Sequence, residues 1–167
     1  NGEQYGGAAY QFGIRRDARD YSVGFQYMDR TPTFQAQNGF VPNNNARMVF
    51  LQQQYTFYPN DALFDNWSVE ANAGLHFNHE GTRKEKWFVP GVSAQLKNQI
   101  NVTVTYFAVN DEHFGGKQFD NINRTDVRVF ARPSSAFTVS FEGSFGRFIR
   151  RSDSPEMGRG HDISLTA

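Results

Sequence analysis

The stretch NWSVEANAGLHFNHE, Asn66 to Glu80, holds two patterns at once. Every second residue from Trp67 reads Trp, Val, Ala, Ala, Leu, Phe, ending at Phe77; the residues between read Ser, Glu, Asn, Gly, His, Asn. Successive side chains of a strand point to opposite faces, so the segment predicts a strand with one apolar and one polar side. Its length is unusual. Strands of water-soluble domains run about 5–6 residues, whereas a bilayer crossing takes about 9–11, tilted.

The alternation recurs along the chain. Its apolar sets are Ala8 to Ile14, Tyr21 to Tyr27, Val49 to Phe57, Trp67 to Phe77, Phe88 to Leu96, Ile100 to Ala108, Val127 to Ala131 and Phe137 to Phe145, each read at every second position. A ninth strand is expected to start near Ile163. Gln53 is the one plainly polar member of these sets. The positions between them carry Ser22, Gln52, Gln54, Asn101, Thr103 and Ser140 together with the charged residues discussed below. Helical periodicity is missing over any useful length, so the chain reads as all-β and antiparallel.

Composition narrows the classes. With 17 basic and 17 acidic residues the chain is neutral, which gives no electrostatic reason to expect nucleic acid. Without cysteine there is neither a disulfide framework nor a thiolate metal site. Aromatic residues make up 16% of a chain whose mean hydropathy is −0.64, so the rings must be gathered on particular surfaces. No apolar run approaches the roughly 20 residues of a spanning helix. The chain opens at Asn1 with no leader, and Ala167 falls where a strand is beginning. The expectation is a single β domain over residues 1–167, partial, belonging to a longer protein.

Two architectures produce such alternation. A soluble sandwich hides the apolar face between two sheets. An up-and-down transmembrane barrel turns it to lipid and encloses the polar face. Three features favour the barrel. The segments 67–78, 100–109 and 136–147 have membrane-crossing length. Odd connections, such as KNQ and PSS, are mostly tight, and even ones, such as TPTFQAQNGFVPNNN and DEHFGGKQFDNINR, mostly long. Short turns at one rim and long loops at the other are a barrel's arrangement. Finally, Tyr21, Tyr27, Tyr55, Phe57, Trp67, Phe77, Phe88, Tyr106 and Phe145 sit near the ends of the apolar sets, where rings would meet headgroups. The reading is an antiparallel transmembrane β-barrel with eight to nine strands present. The alternative is a soluble sandwich binding carbohydrate, with Trp67 and Trp87 as stacking platforms.

The polar face supplies the site candidates. Glu70, Asn72, His76, Asp126, Arg128, Arg132 and Glu142 would line a lumen. If the hairpin turns at Pro133–Ser135, Asp126 opposes Glu142 and Arg128 lies diagonal to it. His76 and His79, three apart in a strand, would point to opposite faces, a poor geometry for joint chelation, so His76 reads as lumen-facing and His79 as a rim residue. Asp111, Glu112, His113, Asp120 and Asp126 match no calcium-loop spacing and read as a solvated loop, with Gly115–Gly116 permitting a turn. Ser140 and Ser144 have no histidine placed near them by sequence, so no serine nucleophile is supported. Phe34, Gly39, Phe40 and Pro42 belong to an apolar piece in a long polar connection, which would either fold into the lumen as a constriction or pack on the outer rim.

The segment YSVGFQYMDRTPTFQAQNGFVPNNN, residues 21 to 45, resembles a family signature. It is similar to the C-terminal outer-membrane β-barrel domain of a bacterial family of unknown function whose members carry an N-terminal carbohydrate-binding module similar to family 9. The matching positions are Asp29, Phe34, Ala36, Gly39, Phe40, Val41 and Pro42, and the strand ARPSSAFTVSFEGSFG is similar too. The family often has Arg after that proline, where this chain has Asn43, so no role of that Arg carries over. The resemblance implies a Gram-negative outer membrane and no established activity, and the carbohydrate module lies outside these residues. The expected function is therefore non-enzymatic: a porin-like barrel for passage or docking of solutes, or a structural subunit of an envelope complex. Its expected partners are outer-membrane lipid, other envelope proteins, and a small solute or carbohydrate. No cofactor is expected.

Overall fold

The computed structural model describes residues 6–34, 44–60 and 62–167. They form one antiparallel sheet of eleven strands, with no helix among the described residues. Nine strands follow one another across it: β1 (Ala9–Asp17), β2 (Tyr21–Arg30), β3 (Ala46–Phe57), β4 (Phe64–Phe77), β5 (Arg83–Leu96), β6 (Ile100–Tyr106), β9 (Arg124–Ser134), β10 (Phe137–Arg150) and β11 (Glu156–Thr166). The short strands β7 (Val109–Phe114) and β8 (Lys117–Phe119) make a hairpin off this path, with β7 pairing β5. Because each strand on the path pairs with the next one along it, connections alternate between the rims. Connections 18–20, 58–63, 97–99 and 135–136 lie at one, and the two longest, 31–45 and 107–123, lie at the other with the shorter 78–82 and 151–155. The sheet is not closed: β1 pairs only with β2, and β11 only with β10.

Register makes the two faces continuous. Tyr21, Tyr55, Val69, Val92, Val104, Val127, Gly143 and Ile163 stand opposite one another from β2 to β11. One residue along each strand the partners are Ser22, Gln54, Glu70, Gly91, Thr105, Asp126, Ser144 and Asp162. A slip of one residue anywhere would mix the two sets. Gln53, a polar residue in the middle of the apolar face, receives a hydrogen bond from the Tyr21 hydroxyl at 3.3 Å.

The exposure of these faces is the reverse of a soluble protein's. Leu51, Val69, Val92 and Val104 are 36%, 40%, 48% and 38% exposed, while Ser68 on the polar face is 3% exposed. Along β3 every second residue from Val49 to Phe57, the apolar set, is exposed and the residues between are partly shielded. No second layer covers the apolar side among the described residues. A single sheet shields one face only by curling toward it, so the polar face is the concave one. Buried apolar side chains are few; Ala46, Val89, Phe119 and Ile122 are buried, with Pro155. Trp67, Val102 and Phe141 are each partly exposed rather than sealed between stacked sheets.

Rings gather toward the strand ends. Phe57 stacks on Trp67 with centroids 4.0 Å apart, and Tyr55 packs on Phe57 at 4.7 Å. Trp67 and Phe77 are ten residues apart on β4, which is roughly 34 Å along the strand, or about 25 Å along the normal at a tilt of about 40°.

Several expectations are corrected. The ninth strand begins at Glu156, not near Ile163, because its ladder to β10 continues through a polar half with no apolar alternation to announce it. The sixth connection is not all solvated loop: Gly115 and Gly116, with φ of 56° and 77°, close the two-residue β7–β8 turn. The break between β6 and β7 shifts the register, so Val109 rather than Ala108 stands opposite Phe88 on the apolar face. The last tight turn falls at Ser135–Ala136, with an irregularity between Phe137 and Val139. Glu142 therefore faces Arg128, and Asp126 faces Ser144, against the expected Asp126–Glu142 pair.

Candidate functional site on the polar face

The concave face is built around the long strands β3, β4 and β5, whose alternation sends one polar side chain inward every two residues. Glu70 stands between Gln54 and Gly91. A Cβ on Gly91 would meet the Glu70 carboxylate at 2.9 Å and the Thr105 methyl at 2.9 Å, so Glu70 lies across the bare glycine. Asn72 follows between Gln52 and Val89. His76 lies between Met48 and Glu85, with Nδ1 3.9 Å from the Glu85 carboxylate.

The charged residues of β9 and β10 are held apart from these. Asp126 accepts from Arg124 Nε at 3.1 Å, and the Arg124 guanidinium sits 3.9 Å from the centre of the Phe107 ring. Arg128 and Glu142 are 3.9 Å apart and both well exposed, a pairing worth little in free energy. Arg132 is exposed near the tight-turn rim, and its N–H donates to Gln99 O at 3.2 Å. Glu70, Asn72 and His76 thus share one strand, Asp126 joins Glu70 in one register row, and Arg132 stays at the edge. No cluster of three or more His, Cys, Asp or Glu fit to hold a metal exists among the described residues.

Of the constriction candidates, Gly39, Phe40 and Pro42 lie outside the described residues. Phe34 sits at the long-connection rim. Its N–H donates to Thr31 O at 3.1 Å, its carbonyl accepts from the Asn44 amide, and its backbone lies against Gly7.

Sequence reading missed the aromatic part of the concave face. Trp87 and Phe50 both point to the polar side, flanking Gly74 in register, with ring centroids 6.4 Å apart. A Cβ on Gly74 would meet the Trp87 ring at 2.0 Å, so the indole lies flat on the glycine. The available signal was the lone Gly in an otherwise unbroken strand, which marks close approach. Toward the tight turns the face opens into a hollow of about 330 Å³. Gln54, Thr56, Asn66, Gln95, Asn101 and Thr103 line it, with Ser68 and Ser93 at its floor and Tyr58 beside it. None of these side chains is charged. Thr56 and Ser68 hydroxyls lie 3.0 Å apart, and the Asn66 amide donates to Gln95 at 3.2 Å.

The long-connection end of the sheet is laced by ion pairs, which on the outward face begin level with Leu75, the β4 partner of Lys86. Asp111, buried at 5% exposure, has Lys86 Nζ at 3.0 Å, Arg83 at 3.6 Å and the Asn121 N–H at 3.0 Å. Burial pushes its pKa up, but the Asn121 N–H and the two cations outweigh that and hold it below its ordinary value of 3.8. Arg151 grips Glu112 through two hydrogen bonds of 2.7 and 2.8 Å and lies over Phe114. These contacts dock the β7–β8 hairpin on the β10–β11 connection. The carboxylates of Asp111, Glu112, Asp120 and Asp126 are thus each paired with a cationic side chain. His79 Nε2 is 2.8 Å from Asp29. Neither His79 Nε2 nor that Asp29 oxygen has a hydrogen-bond partner among the described residues. Arg47 Nε lies 3.3 Å from the other Asp29 oxygen, and the Tyr27 hydroxyl donates to that oxygen at 3.0 Å.

Comparison with protein-family models, with curated proteins and with solved structures finds no match to this chain.

Proposed function

We propose that the chain is part of a bacterial outer-membrane β-barrel, non-enzymatic, whose polar lumen passes or docks solutes. The observation that carries the reading is the inverted exposure: a continuous apolar face turned outward, and a shielded polar face curled inward. In water such a face would be a large unpartnered patch; in lipid it is at home. Strands of 14 residues in β4, β5 and β10, rings toward the strand ends and the placing of both longest connections at one rim support the same reading. The resemblance of residues 29 to 42 to an outer-membrane barrel family points the same way. A soluble sandwich would need a second sheet over Leu51, Val69 and Val92, and the described residues contain none.

In lipid the open edges of β1 and β11 must be paired. With nine strands alternating in direction, β1 and β11 run parallel. An all-antiparallel barrel is therefore completed by an odd number of further strands, which gives the even total usual for bacterial barrels.

The two tryptophans provide the test, because Trp67 lies on the convex face and Trp87 on the concave one. In liposomes with brominated acyl chains, Trp67 emission is expected to be quenched and Trp87 emission spared, with aqueous acrylamide doing the opposite. Equal acrylamide access to both, in protein that stays monomeric without detergent, would sink the proposal. Channel conductance in planar bilayers tests the passage part separately.

A further inference from the structure

We infer that the concave face carries a binding track for a neutral oligosaccharide, made of the Phe50–Trp87 platform and the uncharged hollow below it. The inference rests on the reading of that face as a water-filled lumen.

Two observations converge. First, the Trp87 indole is pressed flat against Gly74, so one ring face is covered by backbone and the other is turned away from the sheet, with Phe50 6.4 Å to its side. An aromatic ring held flat on a polar wall is costly to leave in water unless something apolar and planar covers it. Second, the hollow of about 330 Å³ presents amides and hydroxyls without one charge. The lining itself holds no counter-ion, with Glu70 and Arg128 at its border opposite Gln54 and Thr103. Apolar solutes would strand its donors and acceptors, so the chemistry suits hydroxyl groups. A pyranose joins both requirements, with apolar C–H faces that stack on rings and an edge of hydroxyls that pairs with amides. Trp87 and Ser93 lie six residues apart on β5, about 20 Å along the strand, which calls for several linked sugars rather than one. Gln52, Asn72 and Glu70 occupy the gap between the two parts, two amides and one carboxylate able to accept from sugar hydroxyls.

The experiment uses detergent-solubilised protein carrying Trp67→Phe, so that Trp87 alone reports, with maltohexaose and cellohexaose as probes. Acrylamide quenching of Trp87 is measured first. The expected result is a saturable change in Trp87 emission with at least one hexasaccharide, matched by a calorimetric isotherm. Phe50→Ala and Gln95→Ala, at opposite ends of the track, should each weaken that isotherm at least tenfold, with Gln95→Ala leaving acrylamide access to Trp87 unchanged. No emission change and no heat with either sugar, in protein whose Trp87 is open to acrylamide, overturns the track and leaves the barrel reading standing. Binding that ignores both substitutions overturns it as well. A Trp87 closed to acrylamide sinks the lumen reading, and the track with it.

Discussion

The indole of Trp87 lies where a side chain on Gly74 would have to stand: a Cβ there meets its ring atoms at 2.0, 2.4 and 2.5 Å. Gly74→Ala is therefore expected to displace the ring and cost about 1–3 kcal/mol of stability. Trp87→Ala should absorb most of that loss in the double variant, because the two residues share one space. Urea midpoints of the folded protein in micelles measure both; strict additivity would show that the pair is not in contact.

Ala71 and Asn72 are neighbours on β4 that face opposite ways. Ala71→Arg is expected to destabilise insertion into liposomes by about 2–4 kcal/mol, since a charge near the middle of the lipid face is poorly tolerated. Asn72→Arg should cost less than about 1 kcal/mol, because the lumen is polar and wet. Folding titrations of the two variants check this. Equal costs would remove the distinction between the faces.

The Asp111 carboxylate anchors the β7–β8 hairpin through Lys86, Arg83 and the Asn121 N–H. Its pKa is lowered in the folded state, so its contribution is fully present above the ordinary value of 3.8 and is lost as pH falls through the depressed value. Hydrogen exchange of the hairpin amides should speed up only in that acid range. Asp111→Asn should make the exchange fast at neutral pH and flatten the pH dependence.

Arg128 and Glu142 face each other across β9 and β10, both open to solvent. Glu142→Gln should change stability by less than about 0.5 kcal/mol. If the concave face lines a pore, the same change is expected to lower its preference for cations over anions, read from reversal potentials in planar bilayers. A conducting pore with an unchanged potential would place Glu142 away from the permeation path.

How far the fold could be read in advance follows from the range of each effect. Strand alternation is local, because each residue's face is decided by its own backbone, so Trp67 to Phe77 and Val49 to Phe57 were legible. Turns were less so. A shift of one residue in the last tight turn, to Ser135–Ala136, moves every cross-strand partner by two positions and replaced an acidic pair with Arg128–Glu142. The β7–β8 hairpin was hidden because its residues are polar on both sides, and what holds it is Arg151 and Glu112, 39 positions apart.

The candidate site divides in the same way. The polar residues Glu70, Asn72 and His76 were visible as the wet half of an alternating strand. Their company was not: that Glu70 crosses Gly91, that Trp87 lies on Gly74 beside Phe50, and that six uncharged side chains enclose a hollow all depend on which strand lies next to which.

What the amino-acid order dictated is therefore the existence of two opposed faces, since period-two placement needs nothing beyond a strand's own geometry. Which face curls inward, and which distant side chains meet upon it, arose only when nine strands came into register, because those contacts depend on neighbours that no single segment contains.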